Sequence, residues 1–320
     1  MDTAVDCFVI AITPVEDGAV PASVADAEGI DLYIVTSSAE IDIVHEPQAR
    51  ELIQACLPKG YSDEIHFVSI GCAGLFASIM EFAGHPARRC RVLALETPAS
   101  YVQHTLDVSK LGPGGDGFVA QDVACVMDLS KLPGEALARI GHCEILARRR
   151  TLGGTAELSR QLVRRLQELC GRMPGAEIVT FENISIWAQR LLQLVRMMLV
   201  PGGALSGARW LASIECDQRH FMSARPLLDM LAHLHGERRQ PLVVTCLGAG
   251  GRVGVLALEP VGTPAAAAPV FGQCDRLHLG VHALVDFVDA HLPARPQSMR
   301  YTDQQFYGRD NFYFHWTLLH

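Results

Sequence analysis

Charge is scarce in this chain, and paired cysteines are missing from it. Charged residues fill only 19% of the 320 positions against 49% for hydrophobic ones, which excludes a disordered, solvated chain and leaves enough apolar side chain for one or two domains. Basic residues gather only in short clusters such as Arg148-Arg149-Arg150 and Arg238-Arg239, and the formal charge is −8. Such a surface gives nucleic acid no electrostatic footprint. The cysteines at 7, 56, 72, 90, 125, 143, 170, 216, 246 and 274 contain no C-x-x-C, and most sit in apolar runs where a free thiol packs as a small hydrophobe. The stretch from Met1 to Asp6 lacks the basic start and long apolar core of a signal peptide. The best candidate for a membrane span, LLQLVRMMLV, is short and holds Arg196. These absences point to a reducing cytoplasm and to no membrane partner. G-x-S-x-G is absent as well, so a hydrolase elbow has no support.

What the chain does have is alternation. Strand-like apolar runs fall at 8–12, 32–35, 65–70, 91–95 and 123–127, with helical periodicity at 47–57 and 74–82. After Gly153-Gly154 the pattern restarts: helix 155–173, strand 177–181, helix 184–200, strand 210–214, helix 226–234, strands 242–246 and 254–258. Alternating β and α predicts a layered α/β protein with mostly parallel strands, and the restart predicts two similar halves. We divide the chain into 1–150, 151–260 and 261–320; the last segment begins with the linker VGTPAAAAP and carries a helix-like HLGVHALVDFVDAHL and an aromatic YGRDNFYFHW. The aromatic stretch is expected to pack on the body of its own chain.

Chemistry concentrates at VSIGCAGLFASIM, residues 68–80. A strand-like run meets Gly71, then Cys72, then small residues that open a helix. A cysteine at a helix N-terminus sits beside unpaired backbone N–H groups, which favour the thiolate over a thiol whose ordinary pKa is about 8.5. Gly71, Ala73 and Gly74 leave room for a substrate carbonyl to reach both the sulfur and the adjacent N–H, half of an oxyanion hole. The bland alternative is a packed core cysteine, the commoner fate of that residue type.

Neighbouring motifs favour the nucleophile. In order, GIDLYIVTSSAE, PQARELIQACL, GCAGLFASI, RVLALETPAS, AQDVACVMDL with Asp122, and LGAGGRVGVLAL resemble successive pieces of a ketoacyl-acyl-carrier-protein synthase III, a member of the thiolase superfamily, over about residues 30–258. The resemblance implies a thiolase-like fold of two βα halves in a layered α-β-α-β-α sandwich, with Cys72 as the acyl-thioester nucleophile. It also implies that the Gly248-Ala249-Gly250 turn lies beside Cys72, with the Ala249 N–H as second oxyanion donor next to Gly250. No permanently bound cofactor is implied; the substrate is an acyl-coenzyme A or acyl-carrier-protein thioester. A homodimer, or a heterodimer with a homologue, is expected through the strand near the nucleophile.

Two motifs depart from the condensing members of that family. Where they carry H-Q-A-N this chain reads Phe181-Glu182-Asn183-Ile184-Ser185, and G-N-T-S is replaced by the segment Gln218 to Pro226. A carboxylate facing a developing enolate is electrostatically wrong. The second segment, RHFMSAR, instead resembles the G-H-x-x-x-A-D of acyltransferase-type variants, with Arg219 and Arg225 replacing glycine and aspartate. His220 is then the base, suited by an ordinary pKa near 6.5, and Glu182 or Asp217 is a candidate to orient it. Glu182 has an alternative role as an acid near a helix start. CDQRH and CDRLH, and the pairs His233/His235 and His278/His282, do not assemble the four ligands a zinc site wants, so no metal is expected. Three readings follow: an acyltransferase through Cys72 and His220, a carbon–carbon condensing enzyme with another base, and a non-catalytic partner of an active homologue.

Overall fold

The computed structural model describes residues 4–15, 20–38, 47–63, 65–96, 117–121, 123–134, 136–148, 153–181, 186–199, 205, 208–211, 219–220, 222–234, 240–248, 252–261, 276–280, 299–301 and 314–318. The first elements are β1 (Ala4–Val15), α1 (Ala22–Ala25), β2 (Leu32–Thr36), α2 (Pro47–Ala55), β3 (Ile65–Ser69), α3 (Gly74–Gly84), β4 (Arg89–Glu96), β5 (Gly117–Gln121) and β6 (Val123–Ser130). A second series follows: β7 (Ala138–Ala147), α4 (Gly154–Arg172), β8 (Glu177–Val179), α5 (Ile186–Met197), β9 (Arg209–Leu211), β10 (Arg219–His220), a 3₁₀ turn (Met222–Ala224), α6 (Arg225–Leu234), β11 (Leu242–Gly248) and β12 (Arg252–Pro260). Three further strands are β13 (Arg276–Gly280), β14 (Met299–Tyr301) and β15 (Phe314–Leu318).

The principal sheet runs β14-β15-β3-β2-β4-β6-β1-β7-β12-β11-β8-β9. Outward from the central β1·β7 pair, one side reads β1-β6-β4-β2-β3 and the other β7-β12-β11-β8-β9, so the same connectivity occurs twice. The two similar halves expected from the sequence are therefore present. The strands are not mostly parallel, however. β2 pairs in parallel with β3 and β4, and β8 with β9 and β11, but β6 lies antiparallel to β4 and β1, and β12 antiparallel to β11 and β7. The cause is visible in the chain: three residues separate β11 from β12, and a connection that short can only join antiparallel neighbours.

Strand β7 was not anticipated. Arg139, His142 and Glu144 interrupt its apolar positions, which hides the run from a hydrophobicity reading, although His142 and Glu144 are buried. In the helix-like segment after the linker, the described residues 276–280 form a strand antiparallel to β5; residues 281–298 lie outside the described set. Of the aromatic stretch, Phe314–Leu318 pairs antiparallel with β3 on its own chain.

Helices lie between and around these strands. α3 is buried nearly all round, through Leu75, Phe76, Ala77, Ile79 and Phe82, as a helix enclosed by protein must be. It packs on β2, β3 and β4 of its own half and on β7 and β12 of the other, while α6 packs on β11 and reaches across to β1 and β6. Amphipathic α4 buries Leu158, Leu162, Val163, Leu166 and Leu169 against the far face. Strands β11 and β12 show the two-faced demand: Leu242, Val244, Cys246, Leu256 and Leu258 join the central core, and Val243, Leu247, Val253, Val255 and Ala257 join the core under α4. Period-2 alternation sends successive residues to opposite cores, so neither face can be polar. Among the described residues no helix is long and apolar enough to cross a membrane.

Candidate active site

The nucleophile turn is built by backbone geometry. β3 ends at Ser69, Gly71 takes φ 62°, and α3 opens at Gly74 after Ala73. A side chain at Gly71 would be strained in this left-handed conformation. The Gly74 N–H donates to the Gly71 carbonyl at 3.0 Å, closing the turn tightly. Cys72 is 3% exposed, between the strand end and the start of the helix.

The second half contributes the opposite wall. A Cβ on Gly248, the last residue of β11, would lie 2.9 Å from the Ala73 Cβ, so only glycine lets the strand come this close. The Cys246 thiol donates to the Cys72 carbonyl at 3.3 Å, and the Arg252 guanidinium to the Ile70 carbonyl at 3.4 Å. Gly248 and Arg252 are paired with each other across the hairpin, so the two ends of the glycine turn straddle the Cys72 turn. Ala249 and Gly250 lie outside the described residues. Arg252, 4% exposed, is a component that the sequence reading passed over; a lone arginine inside GAGGRVGVLAL was the available signal.

A third segment packs on α3, the helix that Cys72 precedes. β10 pairs in parallel with β5, His220 opposite Ala120, and the 3₁₀ turn that follows packs on α3, β4 and β6. The structure thus brings the His220 backbone to the α3 side of the site; its side chain is outside the described set. Glu182, Ser185, Asp217 and Asp122 are also outside it. Arg225 is 2% exposed and lies 3.5 Å from Asp229, one helical turn on, so its charge is answered within α6. His233 is half-buried near the end of α6. Of the ten cysteines, the eight that are described are all buried and none of the eight is in a disulfide.

Between these segments sits Glu96, at the end of β4 and fully buried. One carboxylate oxygen accepts from the Ser38 N–H at 2.7 Å, the Ser223 N–H at 3.0 Å and the Ser223 hydroxyl. The other accepts from the Ser37 hydroxyl at 3.2 Å and the Ser38 hydroxyl at 2.7 Å. Burial pushes this carboxyl above its ordinary range, while the hydrogen bonds from Ser223 and Ser38 pull against that rise. In the sequence it was only one letter of RVLALETPAS; the signal for more was an acid closing an otherwise apolar VLALE run.

No protein-family model and no curated protein sequence matches this chain. Solved structures do. An acyltransferase, ChlB3, superposes with a TM-score of 0.52 at 13% identity, over 81% of this chain and 99% of its own. OleA of Xanthomonas campestris gives 0.54 at 10% identity over 81% and 99%. The 3-oxoacyl-(acyl carrier protein) synthase III of Xanthomonas oryzae pv. oryzae gives 0.55 at 11% identity over 80% and 99%. The fold is the thiolase fold that the sequence motifs resembled, and at these identities the likeness speaks to architecture.

Proposed function

We propose that the protein is an acyltransferase that accepts an acyl group from a coenzyme A or carrier-protein thioester onto Cys72 and passes it to a hydroxyl or amine acceptor. The observation that carries this reading is the meeting of both halves at Cys72, where the glycine hairpin at Gly248 and Arg252 closes on the Gly71–Gly74 turn, with the turn after His220 packed on the helix that Cys72 precedes. Thiolase-fold structures named as an acyltransferase and as a 3-oxoacyl-(acyl carrier protein) synthase III support acyl-thioester chemistry at this site.

In the first step the Cys72 sulfur attacks the thioester carbonyl, a new carbon–sulfur bond forms, and the donor thiolate leaves with the proton that Cys72 gave up. Backbone N–H groups of Cys72 and Ala249 are assigned to the oxyanion. In the second step the acceptor surrenders its proton to the His220 imidazole, its heteroatom bonds to the acyl carbon, and the cysteine thiolate departs. No permanently bound cofactor enters either step. Condensation to a carbon–carbon bond is disfavoured because Glu182 stands in the motif position that would have to stabilise an enolate.

Incubating the protein with a panel of acyl-coenzyme A and acyl-carrier thioesters, and weighing it intact, tests the reading. Wild type is expected to gain the acyl mass and Cys72→Ala to gain none. Absence of any adduct on wild type would favour a non-catalytic partner subunit. Release of carbon dioxide from malonyl thioester at a rate matching acyl transfer would favour condensation.

A further inference from the structure

We infer that Glu96 is a positioning residue that locks the His220 segment of the second half onto the nucleophile half. This rests on the proposed function and deepens it, because it assigns the placing of the His220 backbone to a group outside the Cys72 turn and the glycine hairpin. The turn Met222–Ala224 follows β10 after a single residue, so whatever holds the turn also holds the strand end that carries His220. Both polar groups of Ser223, the N–H and the hydroxyl, are spent on Glu96. The same carboxylate gathers Ser37 and Ser38 from the end of β2. Ser38 closes the loop by also reaching the Met222 sulfur at 3.4 Å.

The turn does not hold itself. Met222 takes φ 48°, the only positive φ at a non-glycine among the described residues, and such a conformation persists only where its surroundings over-determine it. Glu96 and the Ser223 bonds supply that constraint. A buried carboxylate accepting five donors from two halves of a molecule is rigid in direction, since moving it strands buried N–H groups that no water can reach. The backbone that carries His220 is therefore set by a residue 124 positions upstream in the chain.

The test compares an acceptor with a filler. Glu96→Gln keeps an amide oxygen for the Ser38 and Ser223 N–H groups, and the serine hydroxyls can rotate to accept from its NH₂. Glu96→Met fills the volume and offers no oxygen. Each variant is charged with a donor that labels wild-type Cys72, and loss of the acyl mass to hydroxylamine is followed in time. Glu96→Met is expected to label normally but to transfer about 100-fold slower, the loss typical of a displacement near 1 Å. Glu96→Gln should lie within about tenfold of wild type, and in a His220→Ala background Glu96→Met should slow transfer no further, as groups acting as one unit do. Wild-type transfer in Glu96→Met, or full additivity with His220→Ala, would overturn the inference. Should Glu96→Met fail to fold, Ser38→Ala and Ser223→Ala serve instead, each expected to slow transfer, and unchanged rates in both would overturn it. Amide hydrogen exchange over residues 219–224 gives a readout free of any substrate: it should quicken at least about tenfold in Glu96→Met while residues 242–248 stay protected. That measurement stands even if wild type takes no acyl group, an outcome that would sink the proposed function alone; unchanged exchange would sink this inference.

Discussion

Arg91 shows how much a single side chain can organise here. It is fully buried on β4, forms two bonds to Asp128 of β6 at 2.8 and 2.9 Å, and donates to the carbonyls of Val24 and Cys56. Burial alone would lower its pKa, but the hydrogen bond and charge of Asp128 reverse this and hold it above the ordinary value. Removing one partner of such a pair leaves an uncompensated buried charge, at a cost of about 3–5 kcal/mol. Asp128→Ala is therefore expected to lower the midpoint of thermal or urea unfolding sharply, and Arg91→Met combined with Asp128→Leu to recover most of the loss. If the double variant is no better than Asp128→Ala, the charge is not what the site is balancing. In the sequence Arg91 was simply the residue before VLALE; nothing local marked it as interior, because its partners lie 35, 37 and 67 positions away.

At the level of elements, β7 is where sequence and structure part most clearly. It is the first strand of the second half and its inward positions include polar residues: His142 contacts Glu144 at 3.1 Å, and Arg165 of α4 bonds Glu144 from above. Burial would raise the Glu144 carboxyl, but hydrogen bonds from His142 and Arg165 outweigh it and hold the group below its ordinary value of 4.5. A depressed carboxyl contributes stability that is complete above the unfolded-state pKa and is lost as pH falls through the folded-state value. Glu144→Gln should therefore be less stable than wild type near neutral pH, with the gap in melting temperature closing below about pH 4.5 as wild type loses its advantage. A gap independent of pH would mean that the carboxylate's charge is not what couples α4 to β7. By contrast α3, β2 and β4 were legible in the sequence as apolar runs and α4 by its helical period, signals each carries within its own residues.

Across the whole molecule, the two halves share one core. Residues from β1, β2, β3, β4 and β6 and from β7, α6, β11 and β12 belong to a single buried cluster, and Gly254 of β12 packs against α3 of the other half. A Cβ there would stand 2.5 Å from the ring of Phe76 on α3. Gly254→Ala forces that ring into an already filled layer, at a cost of about 1–3 kcal/mol. Calorimetry should show one transition moved to lower temperature, since neither half can open this core alone; two separated transitions would contradict the shared core. In the sequence Gly254 only opens the strand-like run 254–258, and its packing reason emerges only with Phe76 in place. The same division runs through the site. The strand, glycine and helix start around Cys72 are local, encoded within thirteen consecutive residues, so reading them needed no partner. The two-half alternation was equally plain, because apolar periodicity is a local signal. Strand direction, the burial of Arg91 and Arg252, the approach of Gly248 to Ala73 and the grip of Glu96 on Ser223 all join residues far apart in sequence. Pairings of that kind are set by which surfaces must be covered once the chain is compact, and no window of neighbouring residues holds that information.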